Sequence, residues 1–147
     1  MSNVHGGAAL INQRVSVRNG TGGTILEGAT ATGSVTVDTK AVAPKGANRV
    51  GFFVNISAED SASATTDIDI QWSPDKGTTW VDMPGATNSE TKASLAQFTA
   101  TGTKFKWFEM IGDNNVRVRA NMVVAGHTTT DTITWGPVYW EFSHVTG

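Results

Sequence analysis

Asp67 and Asp69 are the first residues in this chain whose types and spacing could do chemistry. They stand two apart in Asp67-Ile68-Asp69-Ile70-Gln71-Trp72, and on a β-strand that spacing puts both carboxylates on one face. Paired carboxylates serve acid–base catalysis when burial drives their pKa values apart. With Glu109 they would be the candidates for a glycosidase. The intervening Ile68, Ile70 and Trp72 claim the inward face, however, so the aspartates are expected to face water and act as solubilising groups. No pair is placed by the sequence at opposed positions around a cleft, as glycoside hydrolysis requires. The expectation is a protein with no catalytic residues that is not an enzyme.

Other chemistries meet similar objections. His5, His127 and His144 are never spaced as i, i+2 or i, i+4, so a zinc site would need assembly entirely by the fold. Glu59-Asp60 and Asp113-Asn114-Asn115 are oxygen-rich, but neither follows the spaced ligand series of a calcium-binding EF-hand loop. Ser16, Ser57 and Ser143 lie outside any Gly-x-Ser-x-Gly elbow, and no phosphate-binding glycine loop precedes a Lys-Ser/Thr pair. Cysteine is absent, which removes disulfides, thiolate metal sites and a cysteine nucleophile together. No metal and no cofactor is expected.

Aromatic groups are the remaining candidates. Trp72, Trp80, Trp107, Trp135 and Trp140 could line a sugar-binding platform, but tryptophan is also a core filler and an interface anchor. Trp72 and Trp80 bracket one hairpin and are expected to pair across it. Phe105, Trp107 and Phe108 put aromatic groups on both faces of one strand, so one face must meet something other than the core of its own sheet.

These side chains must be positioned by strands. Val50, Phe52, Val54 and Ile56 alternate with Gly51, Phe53, Asn55 and Ser57, and Val116, Val118, Ala120, Met122 and Val124 alternate with Arg117, Arg119 and Asn121. Further strands are expected at 34–38, 67–72, 79–81, 95–99, 104–110, 130–135 and 138–145, the last two separated by Gly136-Pro137. No segment sustains helical spacing. Around eight turn-punctuated strands imply an all-β single β-sandwich of jelly-roll or Greek-key type, with an immunoglobulin-like topology as the near rival. Residues 31–147 would form that domain. Residues 1–30, rich in Gly, Ala and Thr, would be an extended N-terminal arm that either stays loose or adds a strand to a neighbouring subunit.

Composition narrows the partners. Among 147 residues, 11 basic and 13 acidic side chains give a net charge of −2. That balance argues against a nucleic-acid binder, which needs a basic face. No polybasic patch or long apolar run points to a membrane. The N-terminal residues lack the basic and apolar regions of a secretory leader, so folding in a reducing cytoplasm is expected.

Two resemblances follow from particular residues. Ser73-Pro74-Asp75-Lys76-Gly77-Thr78-Thr79-Trp80 resembles the Asp-box of sialidases and related propellers, which implies a hairpin turn built by Ser73, Asp75, Gly77, Thr79 and Trp80. The chain is too short for a propeller, so turn geometry is implied and enzymatic activity is not.

Phe52-Phe53-Val54-Asn55-Ile56-Ser57, Ile68-Asp69-Ile70-Gln71-Trp72-Ser73 and Asn115-Val116-Arg117-Val118-Arg119-Ala120 resemble the β-sandwich subunits of small phage virion proteins. Length and single-domain form are most similar to a capsid decoration, or cement, protein. That resemblance implies a homotrimer on the virion surface, made in the host cytoplasm, that binds a major capsid protein and stabilises the head. The interface would use Leu10, Ile11, Arg14, Val15, Val17 and Arg18 of the arm with Phe53, Phe105, Trp107 and Phe108. The alternative is a carbohydrate-binding module, or a phage receptor-binding tip or tail protein, with a glycan as partner.

Overall fold

The computed structural model describes residues 13–16, 29–44, 46–83, 97–110 and 113–144. Within them lie ten strands and no helix: β1 (Gln13–Ser16), β2 (Thr30–Thr32), β3 (Val35–Asp38), β4 (Arg49–Glu59), β5 (Thr65–Ser73), β6 (Val81–Asp82), β7 (Gln97–Phe98), β8 (Gly102–Glu109), β9 (Arg117–Ala125) and β10 (Thr132–Ser143). One sheet has the order β1-β10-β4-β8, with β2 also on β10. The other has the order β3-β9-β5-β6, with β7 also on β5. Every pairing is antiparallel. Along the main paths only β5 and β6 are consecutive in the chain, as in a jelly-roll or Greek-key sandwich.

Alternation explains the core. Val50, Phe52, Val54 and Ile56 of β4 meet Ile68 and Ile70 of β5, Val118, Ala120, Met122 and Val124 of β9, and Trp135, Trp140 and Phe142 of β10 in one buried cluster. Removing this apolar area from water is the main stabilising term, at about 25 cal/mol per Å². Phe52 and Trp140 pair directly at its centre, with ring centroids 4.5 Å apart.

Three expectations are corrected. Residues 130–135 and 138–145 are not separate strands, because β10 runs through Gly136-Pro137. The inward parity changes from Ile133 and Trp135 to Val138, Trp140 and Phe142. Trp135 faces Ile56 and Val138 faces Val54, so one extra residue is absorbed as a β-bulge. Pro137 is tolerated there because β2 pairs with 132–134 and β1 with 139–142, leaving its missing N–H opposite neither strand. Gly136 fits because a Cβ would strike the Asn55 side chain.

Trp72 and Trp80 do not pair; Trp72 faces Val81, while Trp80 belongs to the turn. Phe108, placed at an interface from sequence, is in the core at 5% exposure. It has the parity opposite to Phe105 and Trp107 and lies across from inward-facing Val50.

Residues 13–16, assigned from sequence to the arm, pair with β10 of the same chain, Arg14 opposite Glu141 and Val15 opposite Trp140. Leu10, Ile11, Val17, Arg18 and His5 lie outside the described residues.

Candidate binding face

Outward parity on β10, β4 and β8 assembles an aromatic strip. Tyr139, Phe53 and Phe105 occupy one register row, Tyr139 opposite Phe53 and Phe53 opposite Phe105, and Trp107 follows Phe105 by two residues. Three strands about 4.8 Å apart make the row about 10 Å wide. Phe53 and Tyr139 stack at 4.5 Å and 15°, Phe53 and Phe105 lie 6.5 Å apart, and Phe105 meets Trp107 edge-on at 5.3 Å and 86°. Such contacts add about 0.5–1.5 kcal/mol per pair beyond area burial. All four rings remain half-buried rather than sealed.

Polar groups fringe the strip. Arg49 lies across from Glu109 in register, yet its guanidinium sits over the Trp107 ring, 4.8 Å from the centroid. Asn55 is held by Nδ2 donation to Gly102 O (3.1 Å) and Thr103 Oγ1 (2.8 Å). The strip thus combines flat apolar groups with polar side chains on one solvent-facing sheet. It can adsorb an amphipathic ligand.

The opposite sheet carries a different surface. Arg119 stacks on Trp80 at 4.2 Å, donates from Nε to Gln71 Oε1 (2.8 Å) and pairs with Asp38 (3.3 Å). Asn121 donates to Asp38 (2.7 Å) and Gln71 to Asp82 (3.1 Å). This network satisfies itself. Asp67 and Asp69 lie on the same outer face, paired in register with Val123 and Asn121, whereas Glu109 is on the other sheet. The three carboxylates considered for glycoside hydrolysis therefore surround no common cleft.

The Ser73–Trp80 turn is built around two side chains. Ser73, fully buried, donates to Asp75 Oδ1 (2.7 Å) and accepts from Gly77 N (2.8 Å). Asp75 Oδ1 accepts from Thr79 N (2.7 Å). That bond, with further bonds from Thr79 and Ser73, holds the Asp75 carboxyl down from 3.8 to about 2. Gly77 takes φ 94°, where a side chain would be strained.

A buried ion pair escaped the sequence reading. His127 Nε2 is 2.6 Å from Glu59 Oε1, and Nδ1 is 3.1 Å from Gly33 O. A register shift near Thr134/Trp135 sets Glu59 opposite inward-facing Ile133, which is why an acidic residue turns inward. Glu59, Asp60 and His127 bring ligand-type atoms within 4.8 Å of one another. Those atoms are already used, Glu59 by Ser61 N and His127, and Asp60 by Thr132 N and Oγ1. In the other oxygen-rich loop, Asp113 accepts from Asn115 N (2.8 Å).

No protein-family profile matches this chain, and no characterised protein sequence does. Among solved structures, it is similar to the xylan-binding module CBM15, at 14% identity over 92% of this chain and 99% of that one, with a TM-score of 0.46. It is also similar to the CBM22-1 xylan-binding domain from Paenibacillus barcinonensis Xyn10C, at 7% identity over 92% and 98% of the two chains, with a TM-score of 0.42. A third similar structure is TmCBM61 in complex with β-1,4-galactotriose, at 18% identity and a TM-score of 0.38; it covers 76% of this chain, which spans 66% of that structure. At these TM-scores the likenesses assign no ligand.

Proposed function

We propose that this protein is a non-catalytic carbohydrate-binding module whose ligand lies on the outer face of β10, β4 and β8. The observation that carries the reading is the Tyr139–Phe53–Phe105 row with Trp107 beside it. A sugar ring has an apolar C–H face and a rim of hydroxyls. A narrow aromatic strip fringed by Arg49, Glu109, Asn55 and Thr103 offers contacts for both. A standard protein–protein interface buries about 800 Å² per partner, which a strip about 10 Å wide does not supply by itself. The one large hydrophobic classed as exposed among the described residues, Val81 at 44%, is on the other sheet.

A second reading is a phage capsid decoration protein, whose subunits or capsid contacts cover the same strip. The apolar character of Phe53, Phe105 and Trp107 favours it. One pair of measurements separates the two. Affinity electrophoresis against soluble xylan, β-1,4-galactan and other β-linked polysaccharides is expected to show retardation, with a monomer in light scattering. A stable trimer with no retardation on any polysaccharide would replace the glycan reading with the virion one.

A further inference from the structure

Gly51 lies in the middle of β4, where its neighbours Val50 and Phe52 are large and buried. Glycine in a strand interior weakens the strand and often marks close approach by another group. Its backbone is not in the left-handed region that favours glycine, unlike Gly33, Gly77 and Gly126. Conformation therefore does not explain the residue. Space does. A Cβ at position 51 would meet Phe105 Cζ at 2.6 Å, Phe105 Cε1 at 3.0 Å and Trp107 Cε3 at 3.0 Å.

The two rings reach this point from different registers. Trp107 is directly opposite Gly51, and Phe105 is the diagonal neighbour, opposite Phe53. Both converge over the bare backbone and cover it, so that Gly51 is itself buried beneath them. Because the rings meet at 86°, they form an angled shelf. Arg49 closes one end by lying over Trp107, and the Phe53–Tyr139 stack closes the other.

From this we infer that Gly51 is the positioning residue of the binding face: its missing side chain lets Phe105 and Trp107 lie down on the sheet and form the angled shelf on which a sugar ring packs. The inference rests on the glycan reading for the identity of the ligand, but not for the placement of the rings. Any side chain at 51 lifts Phe105 or Trp107. Phe105 also packs against Phe53, so the disturbance travels along the row.

The test compares wild type, Gly51→Ala and Gly51→Ala/Phe105→Leu, with Ser57→Ala as a control on the same strand. Each protein is paired with its Trp107→Phe counterpart, so that the difference in acrylamide quenching and near-ultraviolet circular dichroism isolates Trp107. Affinity is measured by titration with the tightest-binding oligosaccharide of the polysaccharide panel. Gly51→Ala is expected to stay folded, to expose Trp107 to quencher, to alter its dichroism and to weaken binding at least tenfold. Ser57→Ala should change none of these. Phe105→Leu removes the closest atoms, Phe105 Cζ and Cε1, and leaves only Trp107 Cε3 at 3.0 Å, so the double variant is expected to regain part of the Trp107 dichroism. An unchanged Trp107 signal and unchanged affinity in Gly51→Ala would overturn the inference. If wild type binds no glycan, the glycan reading fails separately, while the Trp107 signals still decide the placement.

Discussion

His127 Nε2 and Glu59 Oε1 are 2.6 Å apart with side chains 0% and 5% exposed, an ion pair sealed between the end of β4 and the turn that leads into β10. Burial by itself lowers the His127 pKa. The hydrogen bond and charge of Glu59, the Gly33 carbonyl and the charge of Asp131 outweigh it, and the net displacement is upward from 6.5. Asp60, beside Glu59, is engaged by Thr132. A raised folded-state pKa stabilises the protein fully below the unfolded value and ceases to do so as pH rises through the folded value. Thermal stability is therefore expected to fall as pH is raised from about 6 to about 9, the window above the ordinary histidine value. Glu59→Gln should lower the midpoint at pH 6 and flatten this dependence. Calorimetry of both proteins across that range checks it; parallel curves would refute the role of the pair.

Asp75 gives the opposite sign. Its folded pKa is depressed from 3.8 to about 2, so its contribution is present above 3.8 and disappears as pH falls towards 2. Asp75→Ala is expected to loosen the 73–80 hairpin at neutral pH and to remove this group's share of the acid sensitivity. Amide hydrogen exchange at Gly77 and Thr79 reads the loosening directly, since Thr79 N donates to Asp75 and Gly77 N to Ser73.

On the aromatic strip, Trp107→Ala and Phe53→Ala are expected to weaken oligosaccharide binding by about tenfold or more, equivalent to about 1.4 kcal/mol. Far-ultraviolet dichroism should be preserved, because both rings are outside the core cluster. Trp80→Ala, on the opposite sheet, should leave affinity unchanged. Equal losses at Trp80 and Trp107 would show that the ligand does not choose between the faces.

In the core, Trp135 and Trp140 each bury an indole Nε1 that no described residue accepts. Leaving such a donor unsatisfied costs about 1–3 kcal/mol. Trp140→Phe removes that penalty along with part of the ring, and keeps a partner for Phe52. Its net effect in urea denaturation is expected to be under about 2 kcal/mol, against about 3–5 kcal/mol for Trp140→Ala.

Deleting residues 1–20 removes β1 and uncovers the β10 edge along Tyr139–Phe142. Unpaired edges invite strand addition by other chains. The truncated protein is expected to remain folded but to self-associate with concentration, as measured by dynamic light scattering. A truncation that stays monodisperse at high concentration would show that β1 does not protect this edge.

Much of the sandwich was legible in the residues. The alternation of Val50 to Ile56 and of Val116 to Val124 identified two strands and their inward faces, since successive side chains on a strand point to opposite sides. The same rule put Phe105 and Trp107 together on one face. It also put Phe108 on the opposite face, but only the pairing with inward-facing Val50 showed that this face is the core. Gly136-Pro137 read as a break because the pair ends most strands. β10 continues there because its flanking strands leave those residues uncovered. The Glu59–His127 pair had no local signal at all: its partners are 68 residues apart.

The residues alone thus determined the all-β class, the positions of most strands, and which side chains share a face, because these follow from a period of two along the backbone. Only the tertiary structure decided where registers shift, that Glu59 turns inward to His127, that Phe105 and Trp107 meet over Gly51, and that Phe53 and Tyr139 extend their row. Each of those depends on which residue of a distant strand stands opposite. That choice is made by packing two whole sheets together, and no single segment contains it.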